Sequence, residues 1–409
     1  MKKLTYFLLA TIVCFSLSFV SCSSNNPDDG LEIPPPDPVD NSEILAFPFS
    51  TLTPEAQKEK LQSSANTFLV AIDNLKNNDC IKTLKALNGL LEMYSVEVEG
   101  YSSFKSSNDI ITYYVYLKDF HKKYTWNSQT ASWDIADANN QMEVYFPVGK
   151  QAGKIIVTAV SSGVKFEVGD YDEYYDEGGI IYFEIPKQFT AKIYLDNKEV
   201  GSVFAESNIV NDKTVPSLTS LQYVMGEYSV TTSAAKGTPN IISSTLKKGS
   251  QVLIDATTDL TANVDNALNG KDPGAMKENL IIRIMDNLAI AGNMDVDKYN
   301  AAMIKADKIY DENKPWNELE KAYYEASAKA FNDNTNLFIA SLSEKAKYAR
   351  VIQTAKEYTE TWGYNTYTYW EEGYAFEFSD KSKIDVEVYF STGFNNFMKN
   401  LNDFLKNFQ

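Results

Sequence analysis

The side chains on which catalytic and anion-binding sites lean most are almost missing from this chain. Its 409 residues hold one histidine, His121, and two arginines, Arg283 and Arg350. A metal site with two histidine ligands is thereby excluded, and any Ser-His-Asp device would hang on His121 alone. That residue sits in Lys118-Asp119-Phe120-His121-Lys122-Lys123, a basic stretch where a solvated loop histidine is expected. Guanidinium forks for phosphate or carboxylate are equally scarce. The esterase Gly-x-Ser-x-Gly, the Walker loop and the dinucleotide Gly-x-Gly-x-x-Gly are all absent. Ser-x-x-Lys occurs at Ser102/Lys105, Ser162/Lys165 and Ser244/Lys247 among others, without the partner motifs of penicillin-recognising enzymes, as chance allows in a Ser- and Lys-rich chain. Glycoside hydrolysis asks only for two nearby carboxylates, which 55 acids supply in any fold, but no barrel or propeller repeat accompanies them. The expectation is a non-enzymatic protein with no cofactor and no metal site, with glycoside hydrolysis the one catalytic class that the sequence leaves open.

Cysteine is nearly as rare. Of three, Cys14 lies in an apolar leader, Cys22 follows that leader directly, and Cys80 remains alone. No disulfide framework is possible, so the fold must rest on its core. With 44% hydrophobic and 13% aromatic residues that core is ample, and Cys80 is expected inside it as a small buried residue. Positive charge is also short. The net charge is −17, and loss of residues 1–21 removes Lys2, Lys3 and no acid, which carries it to −19. Nucleic acid and anionic lipid head groups both call for a basic face, so neither is an expected partner.

What is present begins with an address. Lys2 and Lys3 precede an apolar run from Leu4 to Val20, and Ser21-Cys22 follows at once. A charged start, an apolar stretch and a small residue at the cut mark a secretory signal. A cysteine directly after the cut is what lipoprotein processing needs, so Cys22 is the expected lipidation site. Two or more acyl chains on it would give stable membrane anchoring. Residues 1–21 are therefore read as the signal and 22–50 as an acidic tether, with Pro34-Pro35-Pro36-Asp37-Pro38 as an extended spacer.

The folded body is expected over 51–409. Thr53-Pro54-Glu55 reads as a helix start, and Leu61, Ala65, Phe68, Leu69, Ile72 and Leu75 recur at helical spacing. A second helix from Ile81 to Tyr94 completes a helical hairpin over 51–95. The period then changes to two over 96–265, in runs such as Val96–Glu99, Ile111–Tyr116, Met142–Phe146 and Ile181–Ile185. Hairpins are marked at 191–204 and 244–254. Residues 275–409 mix strands with helices at 299–309 and 316–330, then a hairpin of 374–378 with 384–390, then an amphipathic helix from Phe394. The fold class expected is α+β: a long twisted antiparallel β-meander with an N-terminal helical hairpin and C-terminal helices.

Two aromatic clusters remain. The loop of 169–179 carries five acids and three tyrosines, and its spacing does not fit an EF-hand. A second cluster concentrates Trp362, Tyr364, Tyr367, Tyr369 and Trp370 beside Asn365, Glu371 and Glu372. Such rings suit stacking on sugars, and their alternation with threonine equally suits a cross-strand face.

The relaxed lipobox Phe19-Val20-Ser21-Cys22, the proline-rich tether, the helical start, the meanders and the closing Phe376-to-Phe390 unit together resemble a group of uncharacterised Bacteroidetes outer-membrane lipoproteins. The resemblance covers most of the chain in pattern and contains no catalytic motif, so no functional residue is carried over with it. It implies an outer-membrane address, with Asp28 and Asp29 resembling a signal for surface display. The meander is also similar in outline to the half-barrels of lipoprotein carriers. Two functions follow as expectations: a surface binding lipoprotein for a glycan or protein partner, and a periplasmic carrier that holds an apolar ligand in a curved sheet. A cavity lined by Val, Ile and Phe would favour the second.

Overall fold

A computed structural model describes residues 35–93, 103–107, 110–170, 179–309, 316–362 and 365–391, with Phe394, Phe397, Lys399 and Asn400. Cys22, the strand expected at 96–99 and positions 171–178 of the acidic loop lie outside the described residues. Described strands number eighteen and join one sheet. They are β1 (Ser103–Ser107), β2 (Ile110–Val115), β3 (Lys122–Asn127), β4 (Ser132–Asp137), β5 (Met142–Val148) and β6 (Gln151–Asp170). Next come β7 (Gly179–Leu195), β8 (Lys198–Ser207), β9 (Leu218–Met225), β10 (Tyr228–Ala235), β11 (Asn240–Lys248) and β12 (Gln251–Thr261). The last six are β13 (Lys277–Ile284), β14 (Leu288–Asp295), β15 (Thr335–Ser341), β16 (Ala346–Trp362), β17 (Asn365–Glu377) and β18 (Lys383–Asp385). From β5 to β18 each strand pairs antiparallel with the next, which is the expected meander. Two pairings are parallel, β3 with β5 and β2 with β7, so the sheet is mixed at its start.

Alternate connections of the meander are tight and lie at one end of the sheet. Asp196 and Asn197, at φ +48° and +64°, close the β7–β8 hairpin, and Gly226 and Gly249 open those of β9–β10 and β11–β12 at φ +60° and +56°. Positive φ at these positions matches the right-handed twist of the strands. The opposite end carries the long connections, including the helices between β14 and β15.

The helices are α1 (Ser42–Ala46), α2 (Pro54–Ile72), α3 (Asp79–Met93), α4 (Val264–Leu268), α5 (Val296–Ala306), α6 (Trp316–Asn334) and α7 (Val386–Ser391). Helix α2 starts as its sequence signals: Thr53 Oγ1 accepts from Ala56 N at 3.3 Å, and Pro54 takes the first turn. The hairpin of α2 and α3 lies on one face of the sheet. Under α3, Cys80 joins Phe146, Ile155, Ile193, Leu195 and Val200. Beneath α2, Leu69 and Ile72 meet Tyr228 and Leu253, while Leu61 meets Tyr348, Phe376, Phe378 and Tyr389. Each fully buried Leu, Ile or Phe contributes about 1.5–3 kcal/mol relative to exposure.

Three expectations need correction. The tether does not reach residue 50. Ile44 and Phe47 are buried on the far face of the sheet against Ile281, Ala289, Ala291 and Ala340. Val39 N donates to Asp259 Oδ2 at 3.0 Å, Asn41 Nδ2 to Gly292 O at 2.7 Å, and Ser50 N to Lys347 O at 2.7 Å. The apolar set Val39, Ile44, Phe47 and Phe49 outweighs the proline-rich composition just before it. Second, 384–390 is not a strand. Only β18 pairs with β17, and Asp385 Oδ1 then accepts from Glu387 N at 2.8 Å and Val388 N at 3.1 Å, which caps α7. Third, β1, β3, β4, β9, β10 and β16 carry no individual strand signal in the sequence, because their apolar positions are thinned by charged, serine and threonine neighbours.

Candidate functional site

The site forms where the helices leave part of the sheet uncovered. Side chains alternate faces along a strand, so the helix-facing residues of β13, β14 and β15 fall into rows across the sheet. The register gives Glu278–Met294–Thr335, Leu280–Gly292–Leu337 and Ile282–Ile290–Ile339. Gly292 holds the centre of the middle row. A Cβ there would press on the Asn336 carbonyl and come within 2.9 Å of Leu337 Cα, so the position admits only glycine and the row has no central side chain.

A cavity of about 290 Å³ opens over this gap. Its floor is Leu280, Gly292, Ile290, Leu337 and Ile339, with Val351 and Phe376 from the paired strands β16 and β17. Phe331 of α6 and Val386 and Phe390 of α7 form walls. Phe331 meets Tyr374 edge to face at 6.1 Å, which holds that side. Helix α7 is pinned through Lys356, whose Nζ lies 2.7 Å from Glu387 Oε2 and 2.9 Å from Asp385 Oδ2. Burial pulls this ammonium down, but the two carboxylates outweigh it and raise it above the usual lysine range.

Polar groups gather at one end only. Glu278 is half-buried, and the Thr258 hydroxyl lies 3.2 Å from its Oε1. Burial pushes the Glu278 carboxyl above the ordinary glutamate range, against the Thr258 hydrogen bond, and the nearby Asp259 charge adds to the rise. Thr335 is 7% exposed, and its Oγ1 finds no hydrogen-bond partner among the described residues. Burial also raises the Tyr374 phenol, helped by its hydrogen bond to Glu372.

The aromatic cluster expected at 362–370 is not one platform. Strand alternation sends Tyr367 and Tyr369 to one face of β17 and Trp370 to the other. Tyr369 stacks on Tyr358 across the hairpin at 5.7 Å, and Tyr367 is 55% exposed. Trp370 instead faces α6: Lys321 Nζ lies 4.9 Å from its ring centre, and its backbone N donates to Glu320 Oε2 at 3.3 Å. Trp362 ends β16, but its side chain, like all of Tyr364, lies outside the described residues.

The remaining chemistry-bearing residues are structural. Ser244 is buried with its Oγ 2.9 Å from Thr232 Oγ1, and Ser162 Oγ donates to Ile185 O at 2.6 Å. His121 lies in a loop, its backbone N bonded to Lys118 O. Cys80 is 1% exposed, with its thiol pushed up to about 11 by burial, where thiolate chemistry is suppressed. Among the described residues no group of three His, Cys, Asp or Glu could hold a metal ion, and no helix is long and apolar enough to cross a membrane. Comparison with protein-family models, curated proteins and solved structures gives no match. The cavity residues were missed in sequence because they read as ordinary strand. The one signal was Gly292, ending an otherwise solid apolar run.

Proposed function

We propose that this chain is a membrane-anchored binding protein of the cell envelope that carries a small apolar molecule in the β13–β17 cavity, with Cys22 as its lipid anchor. The observation that carries the reading is the cavity itself: about 290 Å³, close to the lower bound of about 300 Å³ for small-molecule sites, and walled by Leu, Ile, Val and Phe. Apolar surface lining an open cavity gains free energy from an occupant of matching character. The test is uptake of the apolar fluorophore naphthalene, whose ten carbons match the cavity. Wild-type protein should enhance its emission, and Ile290→Trp, which fills the cavity, should abolish the enhancement. Equal enhancement by both proteins would overturn the assignment. Acylation of Cys22 is checked separately by palmitate labelling of wild type against Cys22→Ala. A second reading, contact with a glycan, is favoured by exposed Tyr367 beside the stacked Tyr358–Tyr369 pair. Tyr367→Ala should then weaken glycan binding and leave fluorophore uptake unchanged.

A further inference from the structure

The cavity has a polar end, and its chemistry narrows the occupant. At about 30 Å³ for each water-sized group, 290 Å³ holds about ten heavy atoms. Along most of its length these meet apolar side chains such as Leu280, Ile290, Leu337, Val351 and Phe376. At the end row, however, two polar side chains remain incompletely bonded. Glu278 takes one hydroxyl, from Thr258, and no donor among the described residues reaches its second oxygen. Thr335, which also lines the cavity, is more than nine-tenths buried with its hydroxyl unpartnered among the described residues. The two stand on β13 and β15, on either side of Met294, in one row of the sheet.

Each class of small amphiphile meets this end differently. A carboxylate would face Glu278, with the charge of Asp259 nearby on the paired strand β12, in a chain of net charge −17. An ammonium would have to surrender its hydration to a cavity that offers one carboxyl and otherwise hydrocarbon. A molecule without a donor can accept from Thr335 Oγ1 but leaves Glu278 Oε2 unpaired. A hydroxyl can donate to Glu278 Oε2 and accept from Thr335 Oγ1, which satisfies both with no net charge brought inside.

Resting on the cavity reading above, we propose that the occupant is an uncharged medium-chain amphiphile whose hydroxyl sits between Glu278 and Thr335. The full chain would be titrated by calorimetry with four probes of closely similar size: nonan-1-ol, 1-methoxyoctane, nonanoate and nonylammonium. A net hydrogen bond is worth roughly a fivefold change in affinity, so nonan-1-ol should bind at least about fivefold more tightly than the ether. Nonanoate should be weakest. Thr335→Val keeps shape and removes the hydroxyl, and Glu278→Gln removes the charge. Thr335→Val should weaken the alcohol and the ether alike, by roughly fivefold, because both accept from Thr335 Oγ1, and leave the alcohol ahead by its bond to Glu278. Glu278→Gln should relieve the penalty on nonanoate. Equal affinity for alcohol and ether, or tightest binding of nonanoate or nonylammonium, would overturn the inference. If none of the four binds while naphthalene still enters and Ile290→Trp excludes it, the ligand class falls and the cavity reading stands. If the fluorophore is not taken up either, both fall.

Discussion

Gly201 in β8 and Gly292 in β14 each remove a side chain from the helix-facing surface of the sheet, and the molecule treats the two gaps in opposite ways. Over Gly201, α3 descends until Cys80 occupies the space. A Cβ at Gly201 would collide with the Cys80 sulfur and come within 2.8 Å of the Val224 carbonyl. The gap there is a socket for a helix. Over Gly292, α6 and α7 stand at the rim, and among the described residues no helix side chain takes the place that Cys80 takes at Gly201, so this part of the sheet is the floor of the cavity. Interiors are close-packed as a rule, and a void forfeits the dispersion contacts of its lining. The first region therefore reads as scaffold and the second as site.

The comparison can be broken most forcefully in the scaffold. Leu253 has no exposed surface and lies under α2 with Leu69, Ile72 and Tyr228. Leu253→Ala should cost about 2–5 kcal/mol in denaturant melts, since a buried leucine loses both its transfer energy and its packing. Gly201→Ala comes next, at about 1–3 kcal/mol for overpacking. Cys80→Ala in the same chain should recover part of that loss, because the sulfur is the nearest obstruction; strictly additive costs would show that Cys80 does not fill the Gly201 gap.

A gentler test enlarges one isoleucine in each region. Ile193→Phe, in the filled cluster under α3, should lose about 1–3 kcal/mol. Ile290→Phe has the cavity to grow into and should change stability by less than about 1 kcal/mol, while weakening fluorophore uptake. Matching losses at both positions would remove the contrast between scaffold and site.

The smallest effect is electrostatic. The Glu278 carboxyl is raised on folding, so its favourable contribution is complete below the unfolded value of about 4.3 and is lost as pH rises through the folded value. Glu278→Gln should therefore match wild type near pH 4 and exceed it in thermal stability at pH 8. A stability difference independent of pH would place Glu278 in ordinary solvent.

Local pattern was enough to read α2, α3, α6 and the long run of strands, because each carries a period of 3.6 or 2 along its own residues. It failed at 384–390, where Ile384-Asp385-Val386-Glu387-Val388 alternates like a strand. There the cap made by Asp385 and the pairing of Lys356 with Glu387 favour a helix instead. It failed also at 39–50, because the value of Ile44 and Phe47 depends on Ala289, Ala291 and Ala340 being small enough to receive them. Of the aromatic cluster at 362–370, composition was visible and placement was not. The period of two that marks a strand is the same property that parts Tyr367 from Trp370.

By itself, then, the sequence determined what the protein lacks, the helical hairpin, the meander and its tight Asp196–Asn197 and Gly249 turns, since all of these are set by residues close together in the chain. Only the tertiary structure decided that Glu278, Gly292, Thr335, Val351 and Phe390 line one cavity. They come from five separate elements, and sheet register, with α6 and α7 held at the rim, sets the distance between them.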